Sequence, residues 1–187
     1  MCMQVPTILV TGPVGVGKTT LIEAMGRLLR DAAVPHATVD FDNLTACYPR
    51  SPDDDVWGTN LGLANLAALW RNYQALGASR LLLARVIEDR KELDGYRNAV
   101  PGAEIVVVRL RASPSTLQQR VRARGESRGM QWHLERAVEL AALMEKRRVE
   151  DFVVETEARQ PGELAWETLR RVGWLPAGHE DAAGRPP

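Results

Sequence analysis

The sequence predicts an α/β protein in three layers, a five-stranded parallel sheet with helices on both faces. Three observations lead there. The apolar run Thr7-Ile8-Leu9-Val10 feeds the glycine loop Gly12 to Thr19, and a helical pattern opens behind it at Leu21, Met25, Leu28 and Leu29. Strand-like runs and helix-like periodicities then alternate to about residue 172. Parallel neighbours need a crossover between them, so strands separated by helices pair in parallel and are covered on both faces.

Taken in order, the first strand covers about residues 6–11 and the helix behind the loop about 18–32. Pro35 marks a turn, and Ala37-Thr38-Val39 is a short second strand ending in Asp40-Phe41-Asp42-Asn43. A polar, proline-punctuated stretch runs from Tyr48 to Gly58 and holds Asp53, Asp54 and Asp55. Leu61, Leu63, Leu66, Leu69, Trp70 and Tyr73 recur at helical spacing up to Gly77. Within Arg80 to Ile87, Leu81-Leu82-Leu83-Ala84 reads as a buried third strand, followed by a charged helix over about 89–99 that Pro101-Gly102 closes.

Ile105-Val106-Val107-Val108 is the clearest strand of the chain. Ser113 and Pro114 supply a cap and a first-turn proline for a helix that runs through Leu117 and Val121 into Arg122-Ala123-Arg124-Gly125. A glycine-bounded break follows, Gly125 to Gly129. Trp132 to Arg148 is a long amphipathic helix with Leu134, Val138, Ala141, Ala142 and Met144 on its apolar face. Phe152-Val153-Val154 is the last strand and Pro161 to Val172 the last helix, stopped by Gly173. Residues 1–178 are expected to form one domain with a lid at about 120–131, and 179–187 a flexible tail.

The chain has 187 residues, enough for a substantial core without staples. Its formal net charge is zero, which argues against a protein whose task is to hold a nucleic-acid backbone. Cys2 and Cys47 lack metal-like spacing and read as reduced thiols. Met1 to Pro6 lacks the basic start and apolar stretch of a secretory signal, and no run is long enough to span a membrane. The expected location is cytoplasmic, as a monomer or homodimer.

Gly12-Pro13-Val14-Gly15-Val16-Gly17-Lys18-Thr19 matches G-x-x-x-x-G-K-[ST] between a strand and a helix. Glycines let successive N–H groups turn inward around a phosphate chain, and the helix behind, with Thr20 in its first turn, adds its unpaired N–H groups and dipole. Lys18 is placed for the β- and γ-phosphates of ATP and the Thr19 hydroxyl for Mg²⁺. The chain has three lysines against twenty-one arginines, so a lysine in the loop suggests that an ammonium is needed there.

Sheets of this kind bind ligands beyond the carboxyl ends of their strands. Asp40 and Asp42 stand there after the second strand. One carboxylate of such a pair supports Mg²⁺ through its water shell, and the other orients and deprotonates an acceptor hydroxyl.

A phosphate loop followed by D-x-D-N twenty-two residues after Lys18 resembles the small-molecule kinases of the P-loop superfamily, adenylyl-sulfate kinase in particular. More loosely the chain is similar to gluconate kinase, shikimate kinase, chloramphenicol phosphotransferase and phage polynucleotide kinase over about residues 5–172. The resemblance implies the P-loop nucleotide and small-molecule kinase fold, with Asp42 facing the acceptor hydroxyl and Asp40 on the magnesium side. It departs from adenylyl-sulfate kinase further on. Thr45 stands where that family has a substrate arginine, Arg85-Val86-Ile87-Glu88 replaces its phenylalanine-isoleucine-serine-proline segment, and its lysine-rich loop is absent. The resemblance therefore carries the phosphate side but not the substrate.

The third strand lacks a conventional Walker B aspartate after its apolar run. Unless Glu88 fills in, Mg²⁺ must rely on Thr19, phosphate oxygens, water and the Asp40–Asp42 pair. Arg120 and Arg124, one helical turn apart, are the candidate lid arginines that would neutralise charge on the moving group. Asn43, Trp57, Asn60, Asn65, Arg85 and Glu88 lie where an acceptor pocket would be built, and Glu155 to Gln160 where related kinases cover adenine. Trp70, Trp166 and Trp174 read as packing residues, and His133 has no ligand partners to give it a role.

The expected activity is ATP- and Mg²⁺-dependent transfer of a γ-phosphoryl group to a hydroxyl of a small molecule, such as an adenylyl-sulfate-like nucleotide, nucleoside, sugar or antibiotic. Two alternatives stand beside it: a regulatory ATPase without such an acceptor, and a polynucleotide-end kinase. A guanine-reading N-K-x-D is absent, and large motors need more chain and a clear Walker B acid.

Overall fold

A computed structural model describes residues 4–49, 55, 57–123 and 130–175. Five strands, β1 (Val5–Thr11), β2 (Ala37–Asp40), β3 (Leu81–Ala84), β4 (Ala103–Arg111) and β5 (Phe152–Glu155), form one sheet in the order β2-β3-β1-β4-β5. Every pair is parallel. Among the described residues, six helices connect or follow them: α1 (Lys18–Asp31), α2 (Thr59–Ala75), α3 (Leu93–Ala99), α4 (Pro114–Ala123), α5 (Met130–Arg147) and α6 (Pro161–Arg171). Short 3-10 turns occupy Phe41–Leu44 after β2 and Arg90–Glu92 before α3. This is the three-layer α/β arrangement, a parallel sheet between helices, that the alternation of patterns predicts.

The sheet is buried on both faces, so its strands read as continuous apolar runs. Side chains still alternate between faces with period two. Ile8, Val10, Leu82 and Val108 pack on one side with Leu21, Met25 and Leu29 of α1 and Leu164, Ala165 and Leu169 of α6. Leu9, Leu81, Leu83 and Val107 pack on the other with Leu66 and Trp70 of α2 and Leu93 and Tyr96 of α3. Leu9 stands opposite Leu83 on one flank and Val107 on the other, which fixes the register of the central three strands. Trp70 and Trp174 are core residues, as the sequence predicts.

Two elements differ from expectation. The charged helix expected over about 89–99 is split, because Glu92 Oε1 accepts from the Glu88 and Asp89 N–H groups at 2.8 Å and closes a tight turn before α3. Strand β4 extends well past the four apolar residues that announce it. Its continuation contains Arg109, which is buried yet lies 2.8 Å from Glu145 and 3.0 Å from Glu150. A buried arginine is tolerated only when paired in this way, and it hides the strand from a hydropathy reading.

The turn that carries Asp42 is seated on α2. Phe41 is fully buried, and a Cβ built on Gly62 of α2 would stand 2.6 Å from Phe41 Cζ. Asn65 Nδ2 donates to the Leu44 carbonyl at 2.8 Å and ties the same turn to the same helix. Gly62→Ala is therefore expected to destabilise the protein by about 1–3 kcal/mol through overpacking. Gly95→Ala, whose Cβ would meet the flexible end of Leu63 at 2.7 Å, is the milder comparison. Urea denaturation of the two variants checks the order.

Candidate active site

The loop between β1 and α1 has the backbone that a phosphate cradle requires. Gly12 and Gly17 have φ of 142° and 102°. A Cβ at Gly12 would meet the Leu110 carbonyl of β4 at 2.7 Å, whereas one at Gly17 would meet nothing within 4 Å. Gly12 is thus set by the sheet beneath it, and Gly17 by its left-handed conformation at the start of α1. That helix has no side-chain cap and no acidic residue in its first turn, so its leading N–H groups are left for an anion. Lys18 Nζ donates to the carbonyls of Gly12 and Pro13 at 3.0 and 3.2 Å, folded back over the loop.

Beside the loop is a cavity of about 310 Å³ lined by Gly15, Gly17, Thr20, Arg120, Thr156 and Pro161. Arg120 is fixed at its wall. Its guanidinium donates to the Val16 carbonyl at 3.2 Å and to the hydroxyl and carbonyl of Thr156, both at 3.0 Å. Among the described residues the arginine therefore joins α4, the phosphate loop and the end of β5, on the side away from Asp42. The segment Glu155 to Gln160, expected over adenine, supplies Thr156 and Arg159 to the same cavity. Arg124, the loop Gly125 to Gly129 and the His133 side chain lie outside the described residues.

Glu157 anchors that segment. Its carboxylate accepts from the Ser113 N–H at 3.0 Å and the Thr116 hydroxyl at 2.7 Å, at the start of α4. Hydrogen bonds from Ser113 and Thr116 lower its pKa from 4.5 to about 2.

The two carboxylates after β2 stand in different surroundings. Asp40 Oδ2 accepts from the Thr19 hydroxyl at 2.6 Å, and its Oδ1 accepts from the Asp42 N–H at 3.1 Å. Two oxygen donors meet beside the phosphate loop, a donor set that suits Mg²⁺ together with phosphate oxygens and water. Asp42 is 62% exposed and its Oδ1 pairs with Arg85. Arg85 reaches from just past β3, stacks 5.0 Å over the Phe41 ring and contacts the Thr59 hydroxyl at 3.5 Å. Tyr96, tilted against Phe41 at 5.2 Å, has its phenol pKa pushed up by burial.

Asp42 and Arg85 open on a second cleft of about 590 Å³. Glu88, Trp57 and Thr59 also line it, while Asn43 and Asn60 do not. Asn43 is exposed in the 3-10 turn, and Asn60 gives its backbone N–H to Asp55, which bonds the start of α2. The Glu88 carboxylate pairs with Arg136 of α5, and its carbonyl accepts from Arg147 at 3.0 Å. Arg136, Arg147, Glu92 and Trp132 also line it and were not singled out from the sequence as site residues. A signal for two of them exists, since Trp132, Arg136 and Leu140 recur at intervals of four along one stripe of α5. Trp57 and Trp132 stack at 6.0 Å between centroids.

Comparison with known proteins places the family and the fold. A family model described as an AAA domain matches residues 8–152, so the chain belongs to that family. No curated protein matches the sequence. The fold is similar to that of the tunicamycin resistance protein of Deinococcus radiodurans (18% identity, 92% of this chain and 98% of that one, TM-score 0.65). It is also similar to a gluconokinase from Sinorhizobium meliloti (21% identity, 92% and 95%, TM-score 0.58). A shikimate kinase from Acinetobacter baumannii, solved with shikimate, matches at 18% identity, 91% and 94% coverage and TM-score 0.56. At these identities the likeness establishes a kinase-like P-loop fold.

The lowered Glu157 pKa has a definite pH consequence. The carboxylate contributes stability that is fully present above its ordinary value of 4.5 and is lost as pH falls through about 2. Glu157→Gln removes the charge, so the Tm gap between wild type and variant should be widest above pH 4.5 and close towards pH 2. Thermal melts across that range check it.

Proposed function

We infer that this member of the AAA domain family is an ATP-dependent phosphotransferase that moves the γ-phosphoryl group of Mg-ATP to a hydroxyl of a small molecule. One observation carries the reading. A phosphate loop is hydrogen-bonded through Thr19 to Asp40, and the exposed Asp42 on the same turn faces an open cleft of about 590 Å³. A regulatory ATPase has no use for a carboxylate at the mouth of such a cleft.

In the proposed reaction the loop N–H groups and Lys18 hold the triphosphate and stabilise charge on the moving group. The cavity beside Arg120, Thr156 and Pro161 takes the nucleotide base. Thr19 and Asp40 would hold Mg²⁺, which neutralises charge on the β- and γ-phosphates. Asp42 aligns the attacking hydroxyl and takes its proton as the new P–O bond forms and the bond from the γ-phosphorus to the departing ADP oxygen breaks. Arg85 keeps that carboxylate turned toward the acceptor, and Oδ2 of Asp42 accepts no hydrogen bond among the described residues. Transfer through a loose transition state asks for positioning and charge more than for a strong base, which an exposed carboxylate can supply.

ATP consumption measured against a panel of hydroxyl metabolites tests the reading, with Lys18→Ala as the inactive control. Asp42→Asn is expected to lower transfer by about 10²–10⁴-fold while leaving ATP binding nearly unchanged. Asp40→Asn should instead raise the Mg²⁺ concentration needed for half-maximal rate. Hydrolysis that needs no acceptor and survives Asp42→Asn would overturn the assignment.

A further inference from the structure

Two of the five tryptophans are explained neither by packing nor by the chemistry above. Trp70 and Trp174 are buried in the cores, and Trp166 lies under the Arg170 guanidinium at 4.9 Å. Trp57, just before α2, is 62% exposed, and Trp132, in the first turn of α5, is 46% exposed. Both line the same cleft and stack on each other with ring planes 28° apart.

We propose that Trp57 and Trp132 form an aromatic slot that selects a hydroxyl compound carrying a flat aromatic or heteroaromatic ring. The proposal rests on the acceptor cleft assigned above and names its substrate class. Two nearly parallel indole faces can each stack on a planar ring, and the quadrupoles of the rings favour an offset arrangement. A ring entering the slot exchanges the indole–indole contact for contacts with its own faces and releases water from both tryptophans. An open-chain polyol has no flat face of comparable area to lay against either indole.

The charges of the cleft point the same way. Asp42, Glu88 and Glu92 stand against Arg85, Arg136 and Arg147. Asp42 is paired with Arg85 and Glu88 with Arg136. The lining is thus formally neutral, and the arginines are engaged by protein carboxylates rather than offered to a strongly anionic acceptor. Recognition falls to the ring, with Asp42 left to the hydroxyl.

The test uses the full chain and two sets of compounds: nucleosides and phenyl-bearing diols against gluconate and hexoses. Phosphoryl transfer from ATP is measured with wild type, and equilibrium binding by calorimetry with Lys18→Ala. Trp57→Ala and Trp132→Ala are expected to raise KM for ring-bearing acceptors on the order of tenfold, with kcat changed far less, and the Phe replacements to restore most of it. Transfer to polyols with a KM that neither Ala variant moves would overturn the slot and leave the kinase reading intact. Ring compounds that bind, lose affinity in both Ala variants and yet accept no phosphoryl group would support the slot and overturn the kinase reading. Absence of both binding and transfer for the ring compounds would overturn the slot.

Discussion

Strand β1 pairs with β3 on one side and β4 on the other, all in parallel, and the site follows from that double pairing. Parallel neighbours bring their carboxyl ends to one edge of the sheet. The phosphate loop leaves the central strand at that edge, and β3 and β2 deliver Arg85 and the Asp40–Asp42 turn beside it. The edge is locked by side chains as well. The Ile87 N–H donates to the buried Thr11 hydroxyl at 2.9 Å, so the end of β3 cannot drift from the end of β1. β2 is not hydrogen-bonded to β1 at all, because β3 lies between them. The 2.6 Å bond from Thr19 to Asp40 spans that gap and holds the acceptor turn to the phosphate loop.

The dominance of arginine over lysine has a structural meaning in this chain. Ion pairs cross between elements far apart in sequence: Arg109 with Glu145 and Glu150, Arg90 with Asp151, Arg136 with Glu88, Arg85 with Asp42. A planar guanidinium presents several donors at once, so one arginine can serve two partners, as Arg90 does with Asp151 and the Val149 carbonyl. Lys18 stands apart from this use, folded over two loop carbonyls where a compact ammonium fits.

Much of the fold was legible in the sequence, because strands buried on both faces must be apolar throughout and glycine loops must meet fixed backbone demands. The phosphate loop announced itself for the second reason. β4 was legible only in part, since Arg109 interrupts its apolar run and its compensating partners lie in distant segments that no local window sees. The nearby Asp40–Asp42 pair was visible because both residues belong to one short turn. Arg136 and Arg147 were not, because on a helix such residues read as an ordinary solvated face until the segment after β3 is known to meet them at Glu88. Glu88 shows the same limit. It was named with the acceptor pocket and does line the cleft, but Arg136 and Arg147, which pair with its carboxylate and hydrogen-bond its carbonyl, come from α5.

The two halves of the site are held by different means, and this decides how each can vary. The phosphate half rests on backbone conformation and burial: Gly12 against the Leu110 carbonyl, Val16 at 1% exposure, Arg120 bonded to main-chain oxygens. Changes there collide with the sheet itself. The acceptor half rests on side chains supported by α2 and α5. The turn with Asp42 is positioned by Phe41 against Gly62, by Asn65 on the Leu44 carbonyl and by Thr45, whose hydroxyl donates to the Asp42 carbonyl at 2.9 Å. A shift of α2 would therefore move Asp42 while leaving the phosphate loop in place. The Thr19–Asp40 bond and the Arg85–Asp42 pair oppose such a shift. In the function proposed above, a fold built this way would keep its phosphate side while its acceptor wall is redrawn, and fold likeness near 20% identity does not specify an acceptor.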